Sequence, residues 1–153
     1  MMVGTRVRDI HSGDYADWRT LWDGYNAFYG RSGAKALPEA VTRTLWRRLN
    51  APDAPVRALV ATDGETLCGL AHLVFHLSTS AAGEVCYVQD LYVADGARRG
   101  GVGRALMTAA YETARARGCG GVYWHTQETN RVARRLYDQI ARRTGFIVYR
   151  KEW

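Results

Sequence analysis

The chain of 153 residues has the length of one domain, with room for a single hydrophobic core. Its 47% hydrophobic and 24% charged residues exclude a disordered chain, and no apolar run approaches the roughly 20 residues that cross a bilayer. The net charge of +6 is uneven: residues 1–97 hold nine Lys/Arg against eleven Asp/Glu, whereas residues 98–153 hold twelve against four. This basic second half predicts an anionic partner, either the phosphates of a cofactor or a nucleic acid.

The cysteines and the N-terminus both indicate a cytoplasmic protein. Three cysteines lie far apart and lack CxxC or Cys/His ligand spacing, which argues against disulfides and against a metal site. Arg6, Arg8 and Asp9 occupy the region where a signal peptide needs its apolar stretch. We therefore expect the chain to stay in the cytoplasm, with no attachment to a membrane.

The first part of the chain predicts one strand and then two helices. Residues 3–10 form a short strand. Over 15–29, aromatic and leucine side chains recur at spacings of three and four, which predicts a helix with one face in the core. A second helix is expected over 38–49, with Pro38 in its first turn.

Three β-rich segments follow. Residues 56–62 and 66–77 are joined by Asp-Gly-Glu, a hairpin signal that predicts antiparallel pairing. Residues 84–93 have the β-branched and aromatic content of a strand at the centre of a sheet.

Beyond the third β segment, the spacing of apolar residues alternates between that of a helix and that of a strand. The expected elements are a helix over 101–117, a strand over 122–126, a helix over 130–142 and a strand over 145–150. Without internal repeats or linkers, residues 1–153 are predicted to form one domain. Its class is α/β, a mixed central sheet flanked by helices.

A strand, a glycine-rich turn and the start of a helix meet in residues 91–106, LYVADGARRGGVGRAL. Glycines lack Cβ atoms, so the backbone N–H groups of the turn can face a ligand. The first turn of the helix adds unpaired N–H donors and the positive end of its dipole, and arginines add charge. The phosphate site predicted by this pattern comprises Arg98, Arg99, Gly100, Gly101, Val102, Gly103 and Arg104.

Two common phosphate loops do not fit this segment. A Walker A loop needs Gly-Lys-Ser/Thr, but Gly103 is followed by Arg104 and Ala105, which leaves no lysine for a γ-phosphate and no hydroxyl for magnesium. A dinucleotide fingerprint needs another glycine where Leu106 stands, and a βαβ unit near the start of a parallel sheet. ATP hydrolysis and NAD binding are therefore disfavoured.

The pattern R-x-x-G-x-G at residues 98–103, after a Leu-Tyr-Val strand, resembles the pyrophosphate-binding signature of the GNAT superfamily of N-acetyltransferases. Residues 130–146 are also similar to the last helix and final strand of that superfamily, whereas Asp95 replaces a frequent proline. Residues 121–130, GVYWHTQETN, resemble the branch of fungal histone and polyamine acetyltransferases. The resemblance implies a GNAT fold with a mostly antiparallel sheet and a splayed central strand. It also implies acetyl-CoA as cosubstrate, a primary amine as acceptor, and a homodimer or higher homo-oligomer.

The resemblance assigns roles to individual residues. A β-bulge at the end of the central strand frees backbone groups of Leu91, Tyr92 and Val93 to bind the pantetheine arm and the thioester carbonyl. Tyr137 protonates the departing thiolate, although its position on an apolar helical stripe also fits an ordinary core tyrosine. Asn130 caps the last helix and contacts the cofactor arm.

The base that deprotonates the amine stays open. Asp90 and Glu84 lie on the central strand, whereas Glu128 and His125 lie near the end of the next strand, and we rank Asp90 first, then Glu128, then His125. Cys86 has the pattern of a buried strand residue and no histidine within sequence reach, which disfavours an acetyl-cysteine route.

Two other functions and several acceptors stay open. A basic nucleic-acid-binding module would use the arginines of the last helix, which equally fit a solvated helix face. A catalytically silent sensor would bind acetyl-CoA and a partner protein without transfer. Polyamines, amino acids, histone-like lysines and aminoglycosides are all candidate acceptors. The arginines of the last helix, which a nucleic-acid-binding module would use, are Arg131, Arg134, Arg135, Arg142 and Arg143.

Overall fold

A single five-stranded sheet organises the computed structural model, which describes residues 4–153. The strands are β1 (Arg6–Asp9), β2 (Val56–Asp63), β3 (Thr66–His76), β4 (Val85–Val93) and β5 (Val122–Tyr123). They lie side by side in chain order; the first four pair antiparallel, and β5 runs parallel to β4. The predicted mixed, mostly antiparallel sheet is confirmed.

Four helices cover the two faces of the sheet. They are α1 (Tyr15–Phe28), α2 (Glu39–Leu49), α3 (Val102–Ala116) and α4 (Arg131–Ile140). α1 and α2 pack on one face, whereas α3 and the end of α4 pack on the other. Among the helices of residues 4–153, none is both long enough and apolar enough to cross a membrane.

The alternation of side chains along the strands produces two cores. In β2, Ala58 and Val60 pack with α1 and α2, whereas Leu59 and Ala61 pack with α3. Because both faces of the sheet are covered, β2 and β3 are nearly continuous apolar runs. Leu106 of α3 is fully buried, and burial of such a side chain contributes about 1.5–3 kcal/mol.

The aromatic stripe of α1 lies in the core over most of its length. Trp18, Trp22 and Tyr25 are buried against the sheet, as their spacing predicts. Phe28 and Tyr29 continue the same stripe but are exposed, because they stand at the end of the helix and just beyond it. The exposed Tyr29 borders the site described below.

A glycine in β3 sets the approach of α3 to the sheet. A Cβ atom at Gly69 would lie 3.0 Å from Val102 Cγ1 and 3.1 Å from Leu106 Cδ1. Since Val102 begins α3, the absence of a side chain at Gly69 allows the N-terminus of the helix to pack directly on β3. This contact fixes the position of the glycine-rich turn that precedes α3.

The predicted last strand over 145–150 is wrong. Residues 141–153 form neither helix nor strand, and Phe146 and Tyr149 are 92% and 89% exposed. A strand needs a neighbour to pair with, and the strand predicted over 122–126 is reduced to the two residues of β5. The strand predicted over 3–10 is shortened to β1, with residue 3 outside the described residues.

Candidate active site

β4 and β5 separate shortly after they meet. They pair only at Cys86 with Val122 and at Tyr87 with Tyr123, so within the described residues no strand covers the β5 side of β4 beyond Tyr87. The splayed central strand implied by the resemblance is present. This separation leaves a gap in the sheet at the C-terminal end of β4.

A β-bulge lies at the start of this gap. His72 of β3 pairs with Asp90, whereas the adjacent Leu73 pairs with Val88, so Gln89 is an extra residue in β4. A bulge shifts the strand by one residue and changes which face the following side chains reach. Here it places Asp90 on the α1 face of the sheet, directly opposite His72.

The backbone after the bulge faces the gap at alternate residues. Leu91, Tyr92 and Val93 remain in register with β3 on one side. The carbonyl oxygen of Val93 points away from β3 and accepts a hydrogen bond of 3.2 Å from Arg98 Nε. Since successive residues direct their backbone groups to opposite sides, the peptide groups of Leu91 and Val93 both face the gap.

The glycine-rich turn ends in an uncapped helix N-terminus. Gly101 is the N-cap of α3 with a left-handed φ of 82°, and no side chain caps the helix. The amides of Val102, Gly103 and Arg104 precede the first hydrogen bond of the helix, which Ala105 N donates to Gly101 O over 3.0 Å. Uncapped donors together with the positive end of the helix dipole fit the oxygens of a diphosphate.

The arginines of the turn make only exposed contacts. Arg98 forms a 2.9 Å ion pair with Asp95, and Arg104 hydrogen bonds to Gln139 of α4. Exposed pairs of this kind contribute about 0–1 kcal/mol, so little opposes their exchange for phosphate contacts. Arg99 adopts a positive φ of 68°, which is uncommon for a residue with a side chain.

Helix α4 packs beside the start of α3. A Cβ at Gly103 would lie 3.4 Å from Leu136 Cδ2, and Tyr111 Oη donates a 3.0 Å hydrogen bond to the carbonyl of Ile140. Asn130 caps α4 as predicted, because its side-chain oxygen accepts from Ala133 N at 3.3 Å. The turn before α3 and the side chains of α4 therefore border the same gap.

Tyr137 lies on the inner side of α4. Its ring is half-buried and meets Trp124 edge to face, with centroids 5.3 Å apart. Burial raises the pKa of Tyr137 to about 12, and the nearby Tyr29 adds to this rise. The phenol therefore keeps its proton well above neutral pH.

The four candidate bases have very different surroundings. Glu84 pairs with Arg117 at 2.9 Å, Glu128 pairs with Arg143 at 3.1 Å, and His125 Nδ1 lies 3.1 Å from Tyr87 Oη; these three contacts are solvent-exposed. Asp90 is buried, and it bonds to His72 Nδ1 at 2.9 Å. Of these candidates, Asp90 combines burial with a position at the bulge.

Tyrosines surround Asp90 on the α1 face. Burial, followed by the negative charge of the nearby Asp90, raises the pKa of Tyr25 above its usual range. Burial raises the pKa of Tyr87 as well, with contributions from Asp90 and from Tyr29. Tyr29 also adds to the rise in the pKa of Tyr137, whose largest cause is burial.

Comparison with known proteins decides the family. A model described as the acetyltransferase (GNAT) family matches residues 18–141, which include the glycine-rich turn and Tyr137. The chain belongs to the GNAT family. Its class is therefore that of N-acetyltransferases, enzymes that use acetyl-CoA to acetylate amines.

Individual GNAT relatives match over most of the chain. The D-amino-acid N-acetyltransferase HPA3 of Saccharomyces cerevisiae is 34% identical, across 98% of this chain and 93% of its own length. Aminoglycoside N(6')-acetyltransferase type 1 of Klebsiella aerogenes is 36% identical, across 81% of this chain and 80% of its own length. The solved structure of aminoglycoside N-acetyltransferase AAC(6')-Iy in complex with CoA shares the fold, with a TM-score of 0.80, 14% identity, and coverage of 97% and 94% of the two chains.

The sequence does not identify several residues of this GNAT site as functional. His72 reads as one more residue of a buried strand, and its contact with Asp90 joins positions 18 residues apart. Tyr25 and Tyr29 belong to a stripe whose spacing predicts only core packing. Long-range contacts of this kind have no local signature in a single sequence.

Cys86 gives a prediction about the reaction path in this GNAT protein. Burial raises the pKa of its thiol to about 12, so the thiol stays neutral at pH 8 and becomes a thiolate only as the pH rises towards that value. We expect iodoacetamide at pH 8 to leave Cys86 unlabelled in the folded protein, as measured by peptide mass spectrometry. The same reaction in denaturant, where Cys86 labels as an ordinary thiol, is the control. Equal labelling rates in both conditions would restore an acetyl-cysteine route.

Proposed function

We propose that the chain transfers the acetyl group of acetyl-CoA to a primary amine by direct attack in a ternary complex. One arrangement carries this proposal: the uncapped N-terminus of α3 and the open edge of β4 lie beside α4, since Gly103 is next to both Leu136 of α4 and Val93 of β4, and Tyr137 of α4 contacts Trp124 just after β5. Such a site offers donors for a diphosphate, backbone groups for a thioester arm and a protonated phenol. The CoA-bound relative with the same fold supports it.

The residues that would hold acetyl-CoA follow from the site. The amides of Gly101 to Arg104, with the charges of Arg98 and Arg99, bind the diphosphate. Backbone groups of Leu91, Tyr92 and Val93 bind the pantetheine arm, and Asn130 adds a polar contact. Bound acetyl-CoA supplies a thioester, an acetyl donor whose carbonyl carbon an amine can attack.

Asp90 and Tyr137 handle the two protons of the reaction. Asp90 accepts the proton that the substrate ammonium must lose before its nitrogen can attack. As the new C–N bond forms and the C–S bond breaks, Tyr137 donates its proton to the sulfur. The nitrogen loses its second proton to solvent as the amide forms, and Tyr137 regains a proton from solvent. A backbone N–H at the open edge of β4 stabilises the negative charge that develops on the carbonyl oxygen. Glu128 remains the second candidate base, reached through water.

The charges of Asp90 and Arg31 favour an amino acid as the acceptor. Tyr25 lies between two opposite charges: Asp90 raises its pKa, and the Arg31 guanidinium lies 5.7 Å from the centre of its ring. Arg31 also lies over Tyr29, at 5.5 Å. A carboxylate beside the amine would pair with Arg31, whereas a polyamine would meet a like charge there. The name of the yeast relative, a D-amino-acid N-acetyltransferase, supports the same choice.

We also propose that the chain works as one cytoplasmic domain. A single sheet joins its strands, and the family model spans most of its length. Three free cysteines, two of them buried, suit a reducing compartment.

Binding of acetyl-CoA is tested by calorimetry, with two glycine variants. Gly101→Ala places a Cβ at a φ of 82°, a strain of about 1–2 kcal/mol that displaces the turn, so we expect acetyl-CoA to bind about tenfold more weakly. Gly118→Ala is the matched control, because Gly118 has a φ of 83° at the other end of α3. It should lose similar stability and keep native affinity. Absence of saturable binding to the native protein would overturn the proposed function.

Catalysis is tested with an amine panel and detection of released thiol. We expect amino acids to lead the panel, and Tyr137→Phe to lower kcat by roughly 10²-fold with little change in acetyl-CoA affinity, because only the proton donor is lost. Since a pKa of about 12 keeps Tyr137 protonated below that pH, the native kcat should show no fall from its ionisation up to pH 10.

Tyr111→Phe removes a comparable phenol beside α4 and is the control for Tyr137→Phe; it should keep native kcat. Native turnover in Tyr137→Phe would remove Tyr137 from the mechanism. Saturable acetyl-CoA binding without thiol release for any amine would instead identify a silent sensor.

We further propose a homodimer formed through the C-terminal segment. Ile147 and Val148 are 73% and 64% exposed, and a run of apolar side chains without cover marks an interaction surface. Among residues 4–153 this segment pairs with no strand, and a segment of strand-forming residues can pair with the open edge of a second copy.

Ile147→Asp should convert the dimer to a monomer, as measured by light scattering on a sizing column, because it places a charge in the apolar contact. Val132→Asp alters a side chain of matching exposure, 74%, on the outer side of α4 and should stay dimeric. A native protein that is monomeric at high concentration would contradict the dimer and leave the catalytic proposal unaffected.

A further inference from the structure

A chain of hydrogen bonds runs from α1 through the sheet to Asp90. Trp18 Nε1 lies 3.0 Å from His72 Nε2, and His72 Nδ1 lies 2.9 Å from Asp90 Oδ2. The three residues are 0%, 1% and 8% exposed. The proton transfer described above uses Asp90 alone, so Trp18 and His72 have no assigned role in it.

The direction of each hydrogen bond is fixed by chemistry. An indole N–H is only a donor, so His72 Nε2 must accept from Trp18. The proton of the neutral ring is then on Nδ1, which donates to Asp90. Asp90 Oδ2 is therefore an acceptor.

The same contact opposes protonation of His72. A proton on Nε2 would place two N–H donors against each other at 3.0 Å, inside a core that water does not reach. The neighbouring Trp22 ring, 5.2 Å away and edge-on, offers no acceptor. This geometry disfavours a second proton on His72 Nε2, so the hydrogen bond to Asp90 comes from an imidazole with its proton on Nδ1.

The titratable groups that face this pair are few. Tyr25 comes from α1 and Tyr87 from β4, and both are influenced by Asp90. Arg31 lies beyond the ring of Tyr25. β2 presents Ala58 opposite His72, and α2 presents Trp46 against Trp18, and neither of these residues titrates.

The β-bulge makes this arrangement possible. Without the extra residue Gln89, the register of Leu73 with Val88 would continue and put Gln89 opposite His72. Asp90 would then face α3 and its apolar core. The bulge thus brings the carboxylate, rather than an amide, to the imidazole.

We propose that Trp18 and His72 are positioning residues that hold the carboxylate of Asp90 in place as the proton acceptor at the acetyl-transfer site. The inference rests on the proposed function. In the reaction, the substrate ammonium gives its proton to the free oxygen of Asp90, while His72 keeps its own proton and its hydrogen bond. Asp90 later returns the proton to water, so His72 ends each cycle unchanged.

Two variants of His72 with side chains of similar size test the positioning role. His72→Asn retains an N–H donor where Nδ1 stands, whereas His72→Leu removes it at similar volume. We expect His72→Leu to lower kcat by roughly 10- to 100-fold with little change in the KM for acetyl-CoA. His72→Asn should recover to within about fivefold of native, because it restores the donor to Asp90. Asp90→Asn measures the loss expected when the base itself is removed.

A second pair of variants tests whether the indole N–H of Trp18 opposes protonation of His72. Trp18→Phe removes the N–H that opposes protonation, so kcat/KM should gain a new fall between about pH 7 and 5, where histidines ordinarily take up a proton. Trp22→Phe is the matched control: it removes a buried indole N–H that donates to Thr42 Oγ1 at 3.1 Å and should keep the native pH profile. Thermal unfolding of both variants checks that the fold is retained.

Proton–nitrogen correlation spectra give a readout that does not depend on activity. The native His72 ring, assigned by the loss of its signals in His72→Asn, should be neutral with its proton on Nδ1 from pH 8 to 5, and should become doubly protonated at low pH in Trp18→Phe. A proton on Nε2 of the native ring at pH 7 would overturn the inference.

Two patterns of results separate the inference from the proposed function. Full activity of His72→Leu beside an impaired Asp90→Asn would overturn the positioning role while the proposed function stands. If the native protein released no thiol with any amine, the proposed function would fail, and the spectra alone would decide the protonation of His72.

Discussion

The separation of β4 from β5 is the constraint on which the rest of the site depends. The two strands pair at two positions only, and beyond Tyr87 the backbone of β4 is open on that side. In a continuous sheet these backbone groups would be used in ladder hydrogen bonds. Because α3 begins at the same end of β4, unpaired donors of a strand and of a helix face one space. Neither element provides this arrangement alone.

Asp90 places a buried carboxylate beside this open site. A carboxylate in a core is costly unless it is hydrogen-bonded. Asp90 meets this requirement through its 2.9 Å hydrogen bond with His72 Nδ1. An arginine partner would have neutralised Asp90 and weakened it as a proton acceptor. A histidine donor stabilises the buried carboxylate and leaves it available for the proposed proton transfer.

The parts of the structure that the sequence predicts are those encoded by neighbouring residues. The hairpin of β2 and β3, the stripe of α1 and the turn at Gly101 each follow from short spacings. The extra residue Gln89 and the contact of His72 with Asp90 depend on register between strands, which no local pattern specifies. The strand predicted over 145–150 fails for a related reason: its apolar residues are present, but pairing needs a neighbour.

The tyrosines around Asp90 define what the site can recognise. Burial raises the pKa values of Tyr25, Tyr87 and Tyr137, so their phenols stay neutral at physiological pH. In the proposed reaction, Asp90 would provide the negative charge near the reacting amine, and the tyrosines would provide apolar faces and hydroxyl groups. Under this proposal, recognition of the rest of the acceptor would rest on shape and hydrogen bonding, with Arg31, which lies over the rings of Tyr25 and Tyr29, as a partner for an anionic group. The proposed site would therefore select amines by what is attached to them, because every ammonium would meet the same carboxylate.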